Sequence, residues 1–500
     1  MPEKRSYSHI LKTSSIVGGA QGVNYLIGMV RTKMIAVLLG PAGIGLVGLY
    51  MSVTAMVGAL AGMGIGSSGV RDVAEADGSG DPERIGKTVR TLRRVCWVTG
   101  FIGWAVMAAF SRPLSAWIFG SPAHAWAIAI LGVTVLLGDI STGQTAVIQG
   151  MRRISDLARL TIFSMVSGTV IAVGIYAWLG ESGIVPVLVL TALVNVGFST
   201  WYARRIPVPA ATLGLGETWR NSQRLLGMGL AFMYSGLLST GVVFVTRTLI
   251  VRDLGLDANG IYQAAWGISG MFAGFIIGAM GTDFFPRLTA VSTDDAQVNR
   301  LVNEQTEVGI LLSLPGILGT LAFAPLLMRF FYSSQFVVGA DLLPWFVLGV
   351  FGRIIAWPLG FILLAKGLSR WFVITETLAN ALQLSLTYFF LRWLGLWGVA
   401  LAFASLYIIG TIPMLWAVNH ITGFRWSAAT TRLVIGSTTI VATGFLIQHL
   451  FKGPISIALG GTLALFSGLF CLRGIAVRLG TENRIVRLAA YIPLVRNLCK

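Results

Sequence analysis

Long apolar runs recur along the whole chain, and short polar segments separate them. A membrane-spanning helix needs about 20 mostly apolar residues. The pattern predicts fourteen spans, at approximately 10–35, 42–66, 91–110, 124–147, 158–179, 183–203, 224–250, 259–285, 305–330, 339–365, 371–392, 396–418, 431–450 and 455–473. The connections between them are too short for a soluble catalytic domain. The chain is therefore predicted to be an all-α polytopic membrane protein.

Composition supports a membrane environment. Apolar residues make up 55% of the chain and charged residues 11%, and the mean hydropathy is +0.78. Soluble domains carry roughly 25% charged residues, so this chain has too few charges to cover a soluble surface. A cytosolic enzyme, a secreted disulfide scaffold and a nucleic-acid-binding module are excluded. The three cysteines and four histidines lie far apart, so no metal site and no disulfide framework is expected.

The positive charges indicate an orientation. The net charge is +17, and membrane proteins concentrate Lys and Arg in their cytoplasmic segments. With a cytoplasmic N-terminus and fourteen spans, 27 Lys and Arg residues fall on the inner side and 8 on the outer side. Both termini are therefore expected in the cytoplasm. The first apolar run follows a polar start without a cleavage site, so it is expected to remain as a span.

Short motifs recur in the two halves of the chain, in the same order and at offsets of 212 to 217 residues. They are Arg31-Thr32 with Arg247-Thr248, Leu39-Gly40 with Leu254-Gly255, Met63-Gly64 with Met280-Gly281, Pro113-Leu114 with Pro325-Leu326, and Gly150 with Gly367. Six predicted spans separate each pair, so both halves would have the same orientation. The predicted domains are an N-lobe (1–223), a C-lobe (224–423) related to it by a pseudo-two-fold, two added helices (424–475) and a basic cytoplasmic tail (476–500).

Small residues follow the same repeat. Span 2 carries Gly58 and Gly62, and span 8 carries Gly270, Gly274 and Gly278, all at four-residue spacing. Such spacing lets helices approach closely. It indicates either ordinary bundle packing or two spans that slide at an interface between the lobes.

One group of motifs resembles a known family. Arg31 in a long first helix is followed by Leu39-Gly40-Pro41-Ala42-Gly43-Ile44-Gly45, and Gln149-Gly150-Met151-Arg152-Arg153 follows span 4. This arrangement resembles the Wzx-type polysaccharide and O-antigen flippases of the multidrug/oligosaccharidyl-lipid/polysaccharide (MOP) exporter superfamily, which includes the MATE drug antiporters and the lipid II flippase.

The resemblance implies a function as well as a fold. It implies a V-shaped pair of lobes in the bacterial inner membrane, working by alternating access. The implied substrate is an undecaprenyl-diphosphate-linked oligosaccharide, an O-antigen or exopolysaccharide repeat unit, moved from the cytoplasmic to the periplasmic leaflet. The polysaccharide polymerase and chain-length machinery are implied partners. No cofactor is expected, and coupling would use protons, sodium or the membrane potential.

The extra pair of helices leaves a second assignment open. Many Wzx-type proteins have twelve helices, whereas the lipid II flippase has fourteen, and its last pair is thought to hold the lipid tail. Its first-helix Val-Arg-Asp motif is similar to Val30-Arg31-Thr32 here. A second arginine six residues earlier is replaced by Tyr25. A lipid II flippase is therefore an alternative.

Span 1 carries a polar stripe that ends in a charge. Gln21, Asn24, Gly28 and Arg31 recur at helical spacing, and charges within membranes are usually functional. Arginine binds phosphate oxygens through a planar fork. Arg31 and its repeat counterpart Arg247 are therefore predicted to bind the diphosphate together. The alternative is that Arg31 only reaches the outer headgroups.

A second stripe lies in span 11, and three further charges lie within spans. Glu376, Asn380, Gln383 and Thr387 share one helical face, where they could contact sugar hydroxyls, carry a coupling proton or bond to neighbouring helices. The candidate gate or coupling residues are Asp139, Arg353 and Asp283. Asp139 and Arg353 could form a pair, and Asp283 could instead pair with Arg287.

Two other functions fit the sequence less well than a flippase. A drug antiporter on the same fold would need acidic residues in its cavity, whereas the repeated charges here are arginines. A membrane glycosyltransferase, polymerase or ligase would need a larger outer loop. The segment 80–88 (GDPERIGKT) is close to a P-loop but has five residues between its glycines and no strand before it, so it is interpreted as a solvated loop.

Overall fold

The computed structural model describes the backbone of residues 2–209, 212–451 and 453–479. Side chains are described for residues 21–475 except positions 210–211, 215, 224, 228, 231–232, 272–273, 275–276, 278–283 and 452. Within these residues there are α-helices and three short 3-10 turns, and no strand. The helices are α1 (Pro2–Ala61), α2 (Ile65–Ser79), α3 (Pro82–Ala109), α4 (Ser111–Phe119), α5 (Ala125–Gly150), α6 (Ile154–Leu179), α7 (Ile184–Arg204), α8 (Leu215–Leu254), α9 (Leu256–Ala290), α10 (Asp295–Ala322), α11 (Ala324–Phe331), α12 (Leu343–Ala365), α13 (Ser369–Leu394), α14 (Leu396–Thr422), α15 (Ala428–Leu450) and α16 (Pro454–Leu479).

All fourteen predicted spans lie mainly on helices. By length and apolarity, nine helical stretches of the described chain could cross a membrane, or ten if the bent pair Pro82–Ala109 and Ser111–Phe119 forms one span. Two of these stretches, Gln21–Ala61 and Ile154–Arg204, contain 41 and 51 residues, long enough for two predicted spans each. The all-α polytopic fold is confirmed, while the count of fourteen spans stays a prediction.

Two backbone turns repeat at a constant offset. Gly40 has φ 65° and ψ −170°, and Gly255 has φ 88° and ψ 178°. Gly180 and Gly395 have φ 55° and 62°, with ψ −134° and −144°. Only glycine adopts such angles without a steric penalty. Each pair is 215 residues apart, so the sequence repeat is also a repeat of local structure. We call residues 2–39 α1a and residues 41–61 α1b, because Gly40 separates them.

The turn after α5 corrects the register of the repeat. Arg152 (φ 53°) and Gly367 (φ 70°) occupy equivalent left-handed positions, again 215 residues apart. The sequence match pairs Gly150 with Gly367, which is two residues out of this register. Backbone geometry resolves the alignment because each turn is closed by the same pattern of hydrogen bonds.

Span 2 ends earlier than the sequence predicts. Helix α1b stops at Ala61, and residues 62–64 form a turn before α2 begins at Ile65. Met63 (φ 44°) and Gly64 (φ 67°) are both left-handed there, a conformation rare for a non-glycine residue. The predicted loop over 67–90 is instead helical, comprising most of α2 and the start of α3. In the P-loop-like segment, Asp81 caps α3 by accepting a 2.9 Å hydrogen bond from the Glu83 N–H.

The chain divides into two compact units. The first contains residues up to Gly260 together with 331–333, and the second contains the rest. In the first unit, a core of residues from α2, α3, α5, α7 and α8 includes Leu92, Val147 and Tyr202. In the second, α10, α12 and α14 contribute Val302, Leu359 and Val418 to another core. The predicted lobe boundary at residue 223 stays a prediction.

Candidate functional site

A buried carboxylate lies inside the first unit. Asp139, in the middle of α5, is 9% exposed. Its Oδ2 accepts a 3.1 Å hydrogen bond from the Thr99 hydroxyl on α3. An ionisable group within a membrane span is energetically expensive and usually functional. Asp139 is therefore the centre of the candidate site.

Two cavities meet at Asp139. The smaller cavity, of about 270 Å³, extends along residues 62–64, which we call the break because they separate α1b from α2. Its lining includes Ser67, Cys96 and Thr99. The larger, of about 430 Å³, extends along α1b and α5. Both are lined by Gly58, Asp139 and Thr142. The carboxylate thus faces open space on two sides.

Glycines allow the Asp139 carboxylate and helix α8 to pack closely against the break. A Cβ on Gly62 would lie 3.1 Å from Asp139 Oδ1, so a larger residue there would press on the carboxylate. A Cβ on Gly64 would lie 2.1 Å from the carbonyl oxygen of Gly229 on α8, and one on Gly229 would lie 2.1 Å from that of Met63. Helix α8 therefore packs directly on the backbone of the break.

The span 1 stripe faces α6. A Cβ on Gly28 would contact Met165, and one on Gly168 would lie 3.9 Å from a terminal nitrogen of Arg31. No carboxylate forms an ion pair with Arg31 in the described part of the chain. The buried Asn24 Oδ1 has no hydrogen-bond partner there. Gln21, the first residue of the stripe, is exposed.

Arg247 has different neighbours from Arg31. It donates a hydrogen bond to the Gly48 carbonyl on α1b. Nearby, the Asn259 amide donates a 2.7 Å bond to the Gly45 carbonyl. At the structural offset of 215, Arg31 corresponds to Thr246 rather than to Arg247. One residue of register rotates a helical side chain by about 100°, which explains why the two arginines face different helices.

The span 11 stripe lies on the protected face of α13. Asn380 donates to the Glu376 carbonyl at 2.8 Å, and Gln383 donates to the Thr387 hydroxyl at 3.2 Å. The buried Gln383 Oε1 accepts no hydrogen bond from any described residue. The described amide donors therefore bond within their own helix, and one acceptor remains for a further donor.

The other two predicted gate or coupling residues are Arg353 and Asp283. Arg353 is exposed on α12 of the second unit, close enough to Tyr407 to act on it electrostatically. The side chain of Asp283 lies outside the described residues. The Asp139–Arg353 pair stays a prediction.

Sequence reasoning missed several residues of this site. Thr99 and Cys96 come from α3, and α8 supplies Met233 and Gly236 to the smaller cavity. No pattern in those helices distinguishes these residues. The sequence does indicate the break, because Gly62, Gly64 and Gly66 are three glycines within five residues. Such a composition disfavours a continuous helix.

Arginines in the N-terminal half of α3 also bond across the first unit. Arg93 donates to the buried Gln144 of α5 at 3.1 Å. Arg94 donates to the Leu213 carbonyl at 3.0 Å and to the Thr218 hydroxyl at 2.6 Å. Arg94 therefore ties the start of α8 to α3.

Comparisons with known proteins agree with this architecture. The family described as polysaccharide biosynthesis protein matches residues 34–340, more than half of the chain. The lipid III flippase of Escherichia coli (strain K12) is 24% identical over 399 residues, which cover 76% of this chain and 91% of that protein.

Solved structures share the fold at low sequence identity. The lipid II flippase MurJ in an inward closed conformation has a TM-score of 0.70 at 13% identity, covering 92% of this chain and 99% of that one. An inward-facing multidrug resistance MATE transporter of the MOP superfamily has a TM-score of 0.63 at 16% identity, covering 79% and 95%. The resemblance to this superfamily is confirmed, and the chain belongs to the polysaccharide biosynthesis protein family of multi-pass membrane proteins.

Proposed function

We propose that this protein is a flippase for an undecaprenyl-diphosphate-linked oligosaccharide, an O-antigen or exopolysaccharide repeat unit. It would move this lipid from the cytoplasmic to the periplasmic leaflet by alternating access. The similarity to a lipid III flippase over 91% of that protein's length supports a lipid-linked substrate. The excess of Lys and Arg in the predicted inner segments supports an inner-membrane protein with both termini in the cytoplasm.

The observation that carries the proposal is the environment of Arg31. Its guanidinium lies within a membrane span against α6, and no carboxylate neutralises it among the described residues. A half-buried cation within a membrane span is costly when no counter-ion neutralises it. A diphosphate offers negative charge and oxygens in the geometry that a guanidinium binds best. An anionic headgroup is therefore the ligand that this residue favours.

Polar groups near Arg31 would serve the rest of the headgroup. Asn24 lies two turns from Arg31 on the same stripe and has an unsatisfied buried oxygen. A sugar hydroxyl could donate to it, which removes the cost of burying a bare acceptor. Gln383, in the second unit, also has an unsatisfied acceptor, with Glu376 and Asn380 on the same face, and its contact with a sugar is a separate prediction. Arg247 is proposed as a second diphosphate ligand that exchanges its bond to Gly48 for the substrate.

A drug or ion antiporter is the second candidate. It is favoured by the buried carboxylate of Asp139, which would suit a cationic ligand, and by the fold shared with MATE transporters. A lipid II flippase is a third candidate on the same fold. The three differ in the substrate that crosses the membrane, so transport must be measured directly.

The test is glycan export in a bacterial strain that lacks its own flippase for the glycan. Expression of this chain should restore surface glycan, and Arg31→Ala and Arg31→Lys should each reduce export by about tenfold or more. That estimate follows from the loss of a charge-assisted bond worth about 1.5–3 kcal/mol. Lys33→Ala, in the same helix but off the stripe, is the matched control. Drug resistance without glycan export would contradict the proposal and favour the antiporter.

A further inference from the structure

The two cavities at Asp139 have an oxygen-rich lining. Thr54 and Thr134 line the larger cavity, Ser67 and Thr99 the smaller, and Thr142 both. Asp139 and Cys96 are the only titratable side chains among the described residues that line either cavity. No Lys, Arg or His is among the described residues of either lining, so none of these residues supplies a cation to neutralise Asp139.

The break adds backbone oxygens to the same space. The Gly62 N–H bonds to the Gly58 carbonyl at 2.8 Å, and the Ile65 N–H bonds to the Gly62 carbonyl at 2.8 Å. The carbonyl of Ala59, which lines the smaller cavity, accepts no described backbone bond at the break. Carbonyls in the last turn of a helix point toward its C-terminal end. The end of α1b therefore places a backbone carbonyl, that of Ala59, at the edge of the cavity that Asp139 also lines.

These groups share one chemistry. A carboxylate in a membrane span is unfavourable unless it is neutralised, and one hydroxyl donor does not neutralise it. Carboxylate, hydroxyl and carbonyl oxygens are the ligands that hard cations prefer. Broken membrane helices supply such oxygens to Na⁺ or protons in several transporter folds.

We propose that Asp139, Thr99 and the broken end of α1b form a binding site for a monovalent cation, either Na⁺ or a proton, that neutralises the carboxylate. Helix α8 covers this site, because Gly229 packs on the backbone of residues 63 and 64 while Met233 and Gly236 line the cavity. Movement of α8 away from the break would open the site. Cation exchange would then be linked to the position of α8, and this link to transport rests on the proposed function.

The direct test is cation binding to the purified full chain in lipid nanodiscs, without glycan. One arm measures binding of ²²Na⁺ at mildly alkaline pH. The other follows the infrared band of a protonated carboxyl group as pH is lowered. Asp139→Asn should abolish the saturable ²²Na⁺ signal if the ligand is Na⁺, or remove a carboxyl band that is still protonated near neutral pH, where ordinary Asp side chains are ionised, if it is a proton. Either loss supports the site and identifies its ligand.

Two further variants distinguish the loss of the binding site from a loss of folding. Thr99→Val keeps the shape of the side chain but removes the donor, and it should weaken the cation affinity or shift the carboxyl titration without abolishing either. Asp156→Asn, in the first turn of α6 and outside the lining of both cavities, should leave the ²²Na⁺ signal and the carboxyl band near neutral pH unchanged. If Asp139→Asn is monodisperse and neither signal changes, the site does not exist. Because no glycan is present, failure of the flippase proposal would leave this result standing, and the reverse also holds.

Discussion

The second and eighth predicted spans begin alike and end differently. Each follows a glycine turn of the same geometry, at Gly40 and Gly255, and each contains a Met-Gly pair near its C-terminal end. The first breaks at residues 62–64, whereas α9 remains helical through residues 278–281. The glycine turn is therefore present in both halves and the break in only one.

The local sequence explains the difference. The first half places Gly62, Gly64 and Gly66 at alternate positions, while span 8 has Gly278 and Gly281 further apart. A left-handed non-glycine residue such as Met63 costs about 1–3 kcal/mol, so its surroundings must stabilise it. Gly229 of α8 packs against the backbone of Met63 at this point. The same half carries Asp139, whose equivalent at the offset of 215 is Ile354, so the break and the acid occur together.

The largest expected effect is at the contact between α8 and the break. Gly229→Ala places a Cβ 2.1 Å from the Met63 carbonyl oxygen, which the backbones can relieve only by separating. We expect a loss of stability at the upper end of the ~1–3 kcal/mol typical of overpacking, measured by thermal unfolding in detergent. Gly58→Ala is the matched control, since a Cβ there has no neighbour within 4 Å. Equal stability of the two variants would contradict the proposed packing.

The next effect concerns the added C-terminal helices. Asn303 on α10 donates to the Arg425 carbonyl at 3.1 Å and accepts from the Ser427 N–H at 2.8 Å, and Glu307 accepts from Thr430 at 2.8 Å. Removing residues 424–500 takes these partners from the buried Asn303 and the half-buried Glu307, and a buried polar group left unsatisfied costs about 1–3 kcal/mol. We expect the truncated chain to insert but to unfold at lower temperature. Unchanged stability would show that α15 and α16 are independent of the second unit.

A smaller effect is expected from the comparison of lysine substitutions at Arg31 and Arg247. Arg247 donates to the Gly48 carbonyl, an acceptor that a lysine ammonium can also serve, whereas a diphosphate is bound best by the planar fork of Arg31. We expect Arg247→Lys to retain more glycan export than Arg31→Lys. If both arginines also bind one diphosphate, the losses from the two alanine variants should not add. Fully additive losses in a double-mutant cycle would reject a shared ligand.

The smallest effect is at the cap of α10. Asp294 accepts bonds from the Ala296 and Gln297 N–H groups and from the Gln297 side chain, which lower the pKa of this carboxyl below its ordinary value. The ionised Asp294 carboxylate therefore stabilises the folded protein above about pH 4, the ordinary pKa range for Asp. This stabilisation is lost as the pH falls through the lower pKa that Asp294 has in the folded state. Asp294→Ala should unfold at slightly lower temperature near neutral pH, and the difference from the unchanged chain should shrink in strong acid. A constant difference at all pH values would contradict this cap.

The sequence predicted the class of fold because hydropathy and charge distribution depend only on composition along the chain. It also located the repeat, since Leu39-Gly40 and Leu254-Gly255 require a glycine-specific turn. It could not identify the partners of Asp139, because Thr99 and Met233 come from helices whose neighbours depend on tertiary packing. The one-residue shift between Arg31 and Arg247 was visible in their distances to Gly40 and Gly255, but its consequence required the helix contacts.

Amide hydrogen exchange in nanodiscs tests the central difference between the repeats most directly. At the break, no described backbone hydrogen bond involves the N–H of Met63 or Gly64, whereas residues 278–281 lie within a continuous helix. Peptides that contain residues 62–64 should exchange much faster than peptides that contain residues 278–281. Equal protection of the two segments would contradict a break confined to the first repeat, and with it the structural basis of the Asp139 site.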